Sequence, residues 1–144
     1  MPEETGPRDV VAGVMQLANL LTRKLAPLFT KANVTPQQFV VLLALADNGG
    51  PLTLAGLARR VLVSKQNMTG IASRLRSAGY IERNDDPSDL RSSRVVLTRR
   101  GRTLIEKLRP AYDEALHRMA GIDRFEIESF ARTLDRLIVA LQQE

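Results

Sequence analysis

Cysteine is absent from the 144-residue chain. That absence removes disulfides, thiolate metal ligands, cysteine nucleophiles and thiol redox sensing together. Tryptophan is absent too, and the single histidine, His117, is too little imidazole for a zinc cluster or a histidine-centred triad. No apolar run approaches the roughly 18 residues that span a bilayer. The opening MPEETGPRDV has no basic and apolar signal pattern. The expectation is a soluble, cytoplasmic protein with no membrane partner and no cofactor. No enzyme chemistry can be assembled either, because no nucleophile, base and orienting group can be named together.

What is present is enough apolar material for one domain, at 44% hydrophobic, and an uneven charge. The formal net charge is +5. Between Thr53 and Lys107 there are 12 Lys/Arg and 5 Asp/Glu, a local excess of +7, while the remainder is slightly acidic. A positive field confined to the middle of a chain points to a polyanion, with nucleic acid first among the choices.

Hydrophobic periodicity predicts a mainly α protein with a small β-wing. Val10, Val14, Leu17, Leu21, Leu25 and Leu28 form one stripe over about 8–31, where Pro27 either bends the helix or acts as a hinge. TPQQF opens a second helix, with Thr35 as N-cap, Pro36 in the first turn and Gln38 completing a capping box. Its inner face is Phe39, Leu42, Leu43 and Ala46, and DNGGP ends it. A third helix is expected from about Thr53 to Val61. A fourth begins at Ser64 and ends at Gly79, a left-handed position that suits glycine. Only Leu62 and Val63 lie between these two, so they must cross steeply, as in a helix-turn-helix. YIER and RVVLT then read as the two arms of a hairpin. Long helices follow from about Thr98 to Ala120, interrupted by Pro110, and from the Asp123/Glu126 capping box to the chain end.

On the fourth helix Met68, Ile71, Ala72 and Leu75 share an inner face. Ser64, Lys65, Gln66, Asn67, Thr69, Gly70, Ser73 and Arg74 are left for its start, outer face and margins. Such a face fits a major groove, since Lys and Gln reach base edges while Ser, Thr and Gly permit close approach. In the hairpin tip Asp89 and Arg91 point the same way, so the carboxylate can hold the guanidinium for a narrow minor groove. Arg94 and Arg99 to Arg102 add to the field. Asp85, Asp86 and Asp89 lack the glycine and distant glutamate of a calcium loop, and no metal site is expected.

The order of helix, TPQQFVVLLAL, LAGLARRVLVSKQNMTGIASRLRSAGYIER, DDPSDLRSSRVVLTRRGR and two further helices resembles the multiple antibiotic resistance regulator (MarR) family. The most specific part is D-x-R followed by V-x-L-T-x-x-G, here Asp89, Arg91, Val95, Leu97, Thr98 and Gly101. The resemblance implies a single unit over 1–144, with a winged helix-turn-helix lobe at 33–100 and a helical dimerisation region at 8–31 and 101–144. It further implies a homodimeric transcriptional regulator, a repressor, on a pseudo-palindromic double-stranded DNA operator. It also implies release by a small anionic aromatic or phenolic effector, for which Met15, Phe39 and Tyr112 are the candidate pocket residues. The long apolar stripes at both chain ends independently favour a second copy of the chain. The alternative is a winged-helix module that binds an acidic protein instead of specific DNA.

Overall fold

The structure, a computed structural model, describes residues 6–84, 93–119, 121 and 123–143. Its elements run α1 (Pro7–Ala32), α2 (Pro36–Asn48), β1 (Leu52–Thr53), α3 (Leu54–Val61), α4 (Lys65–Ser77), β2 (Ile81–Arg83), β3 (Arg94–Leu97), α5 (Arg99–Met119) and α6 (Arg124–Leu141). This is a winged helix-turn-helix with long helices on either side in sequence. Pro27 and Pro110 lie inside α1 and α5, and each helix runs on past its proline.

Helix starts follow local chemistry. Thr35 Oγ1 accepts from the Gln38 amide at 3.1 Å while Gln38 Oε1 accepts from the Thr35 amide at 3.0 Å. Asp123 and Glu126 make the same reciprocal pair at 2.9 and 3.2 Å. Each box satisfies amides that the first helical turn leaves without carbonyl partners. Gly49 ends α2 at φ 69°. Ala78 caps α4, and Gly79 follows at φ 80°.

Two compact units divide the chain at Tyr112 and Asp113, within α5. In the first unit the core is centred on α2. Phe39 and Leu42 are buried as the apolar periodicity requires, but Leu43 and Ala46 are only half-buried, whereas Val41, Ala44 and Leu45 are buried. The helix is enclosed on more than one side, against α1, α3, α4 and β3, so a single inner stripe describes it incompletely. Leu57, Met68, Leu75, Ile81, Val95, Ile105 and Leu108 complete this core.

The sheet has three antiparallel strands in the order β1-β3-β2. Leu52 pairs with Val95 and Thr53 with Arg94, while Ile81, Glu82 and Arg83 pair with Leu97, Val96 and Val95. The expected third helix therefore starts one residue late. Thr53 ends β1 and caps α3, its Oγ1 accepting from the Gly56 amide at 3.0 Å. The turn into α4 is closed by Leu62 at φ 60° and by the Val63 amide donating to Ala58 O at 3.1 Å.

Where the sheet meets α5, Thr98 ties three elements together. Its Oγ1 donates to Gly79 O at 2.5 Å and accepts from the Gly101 amide at 3.1 Å, and its own amide donates to Tyr80 O at 3.0 Å. Gly101 is buried, and a Cβ there would collide with the Tyr80 carbonyl oxygen. The Arg100 guanidinium lies 5.2 Å from the Tyr80 ring centroid. In the second unit α6 has no buried residue.

Candidate nucleic-acid interface

Ser64 opens α4, its hydroxyl accepting from the Asn67 amide at 3.1 Å. Met68, Ile71, Ala72 and Leu75 then turn inward and are buried, which fixes the roll of the helix. Lys65, Gln66, Asn67, Thr69, Ser73 and Arg74 are exposed, and Gly70 is half-buried. Among the described residues the side chains of Lys65, Gln66 and Arg74 have no hydrogen-bond or ion-pair partner. The Thr69 hydroxyl does have one, donating to Lys65 O at 3.0 Å. The outward face is thus small, polar and cationic, and its long side chains are uncommitted.

Between α4 and the wing lies an open cavity of about 660 Å³, bordered by Thr69, Ser73, Arg76, Arg83 and Ser93. Arg83 Nε donates to Ser93 Oγ at 2.9 Å, and the Asn84 amide donates to Arg94 O at 2.8 Å. These bonds join the two arms at the base of the wing. Arg94 is exposed at the start of β3. Asp89 and Arg91, the proposed tip pair, lie outside the described residues.

The basic run at the start of α5 divides. Arg99 is exposed, Arg100 stacks on Tyr80, and Arg102 Nη1 donates to Leu97 O at 3.1 Å. Two of these three arginines therefore also secure the junction between sheet and helix, a role invisible in a count of charges.

The effector candidates separate likewise. Phe39 and Tyr112 are 5.3 Å apart between ring centroids, and Phe29 joins them at 5.0 Å from Phe39. Sequence reasoning missed Phe29, although its four-residue step from Leu25 was the available signal. Met15 is 66% exposed on α1, about 21 Å earlier along the helix axis than Phe29 at 1.5 Å per residue. The chain brings Phe39 and Tyr112 together and leaves Met15 apart. Among the described residues there is no cluster able to hold a metal ion, and no helix is long and apolar enough to cross a membrane.

A sequence model of the MarR family matches residues 32–92. The HTH-type transcriptional regulator FarR of Neisseria gonorrhoeae is 31% identical over 114 residues, covering 79% of this chain and 77% of the relative. The transcriptional activatory protein BadR of Rhodopseudomonas palustris is 33% identical over 135 residues, with 88% of this chain and 73% of the relative covered. Among solved structures, NadR in complex with 4-hydroxyphenylacetate superposes with a TM-score of 0.81 at 28% identity, over 95% of this chain and 97% of that one.

Proposed function

The chain belongs to the MarR family of transcriptional regulators, and from that membership we propose that it is a homodimeric, ligand-responsive repressor that binds a pseudo-palindromic operator. The observation that carries the DNA reading is the outer face of α4. Its exposed Lys65, Gln66 and Arg74 have no internal partner, and small residues stand between them. Lys65, Gln66, Asn67, Thr69 and Ser73 would meet base edges, Gly70 would permit close approach, and Ser64, Arg74 and Arg94 would meet phosphates. Asp89 would aim Arg91 at the minor groove beside each half-site. The winged lobe would occupy 33–100, and the remaining helices, 8–31 and 101–144, would serve dimerisation.

Dimerisation is supported by apolar side chains left in solvent on each terminal helix: Val11, Met15, Leu17 and Leu20 on α1, and Phe125, Phe130 and Val139 on α6. A second copy would cover such faces, and twofold symmetry would set two recognition helices about 34 Å apart. Effector control is supported by the Phe29, Phe39 and Tyr112 ring cluster and by the phenolic acid bound to NadR.

The test is selection from a random duplex library, followed by binding of the recovered duplex across a salt series. A palindromic preference is expected, with log affinity falling against log salt at about −0.9 per phosphate neutralised. Arg91→Ala should weaken binding and flatten the slope. Added 4-hydroxyphenylacetate, or another phenolic acid from a thermal-shift screen, should release the duplex. Absence of any shifted duplex at low salt would overturn the DNA reading. An unchanged affinity and slope for Arg91→Ala would overturn the wing's part in it.

A further inference from the structure

We infer that Thr69 is a thymine-reading residue, presenting its γ-methyl, beside the notch left by Gly70, to the C5-methyl of a thymine in the major groove. The inference rests on the proposed seating of α4 on DNA. A threonine carries one hydroxyl proton, two acceptor lone pairs on the same oxygen, and one methyl group. Here the proton is already used, because Oγ1 donates to Lys65 O at 3.0 Å on the preceding turn. That bond draws the hydroxyl back against its own helix and spends its proton, and the methyl is the apolar group this exposed residue has to offer. Apolar contact is the readout that singles out thymine, because its C5-methyl is the one apolar group on the major-groove edge of an unmodified base pair.

Gly70 points independently to something approaching from outside. Glycine inside a helix lowers helix stability relative to alanine. The usual internal reason for tolerating it, a neighbour that would strike a Cβ, is missing. Beyond its two chain neighbours and the adjoining helix backbone, a Cβ built at Gly70 meets no described atom within 4 Å, whereas the one at Gly101 would strike backbone. The fold therefore has room for alanine at position 70, and the empty volume is open to a partner that lies close against α4. Gln66 and Ser73, three residues before and four after Thr69, flank the methyl on the same exposed face. A helix so furnished places polar readers on either side of one apolar contact.

The test uses the full chain and the duplex recovered by selection with it. Each thymine in one half-site is replaced in turn by uracil, which removes only the C5-methyl. One position is expected to lose about four-fold in affinity, the value for one buried methyl group. That discrimination should persist in Thr69→Val, which keeps the methyl and lacks the hydroxyl. It should vanish in Thr69→Ser, which keeps the hydroxyl and lacks the methyl. Gly70→Ala should raise the melting temperature and lower affinity.

If the wild-type chain recovers no preferred duplex, the DNA reading fails, and this inference fails with it. If it recovers one, the inference alone is overturned by any of three results: no position that discriminates thymine from uracil, unaltered discrimination in Thr69→Ser, or loss of discrimination in Thr69→Val. Complete loss of binding by Thr69→Ser exceeds what one methyl can account for and also overturns it. Undiminished binding by Gly70→Ala overturns the notch.

Discussion

Thr98 holds more of the molecule together than its size implies. With three hydrogen bonds it joins the turn after α4 to the first turn of α5, and the missing Cβ of Gly101 lets that turn lie against the Tyr80 carbonyl. Thr98→Val keeps the shape and removes both side-chain bonds, leaving the half-buried Gly79 carbonyl without its hydroxyl donor. The expected loss is about 1–3 kcal/mol in urea unfolding at fixed protein concentration, and Thr98→Ser should recover most of it. Gly101→Ala must displace backbone, and a cost of about 1–3 kcal/mol or more is expected. An unchanged unfolding midpoint in both Thr98→Val and Gly101→Ala would show that the junction contributes nothing to stability. In the sequence these residues stood out only through the spacing V-x-L-T-x-x-G. Their physical reason was hidden because the partner carbonyl of Thr98 lies 19 residues upstream, a separation that no local pattern records. The same distance hid the Arg100 contact with Tyr80, so an arginine that also braces the fold read simply as part of a charged run.

At the level of elements, what could be read was what is local. Both capping boxes, the left-handed glycine after α4 and the inner face of α4 follow from residues within a turn or two of each other, and the structure has all of them. Thr35→Ala should therefore cost about 1 kcal/mol through the lost cap, with Thr35→Ser close to wild type. Equal melting temperatures for Thr35→Ala and wild type would show that Pro36 and the buried face of α2 hold that helix start unaided. What could not be read depended on position in the assembled lobe. β1 is two residues long, too short to show alternation, and is a strand only because Leu52 and Thr53 lie beside Val95 and Arg94. Val41 and Leu45 fell outside the inner stripe assigned to α2, yet other elements close over them. The tip of the wing, with Asp89 and Arg91, is the part of the candidate site that still rests on sequence spacing.

For the whole molecule, apolar periodicity marks stripes along the helices but does not say what covers them. On α1 the stripe divides. Leu25 is buried within the lobe and Leu21 and Leu28 are half-buried, whereas Val10, Val14 and Leu17 are 44%, 37% and 42% exposed. Exposed apolar side chains on consecutive turns of one helix are costly to leave in water, and a contiguous patch of this kind marks an interface. If a second copy covers it, stability must depend on protein concentration, because the dimer gains by mass action what the separate chains cannot. The wild-type melting temperature should then rise as concentration is raised. Leu17→Glu places a charge on the patch, away from the buried end of α1, so it should shift the chain to monomer in sedimentation without unfolding α2 to α4. Its affinity for a palindromic duplex should drop towards that of wild type for an isolated half-site, since two linked recognition helices bind together far more tightly than one. A wild-type chain that sediments as a monomer at micromolar concentration, with a melting temperature independent of concentration, would exclude the dimer. The apolar turns of α1 would then have to face some other partner.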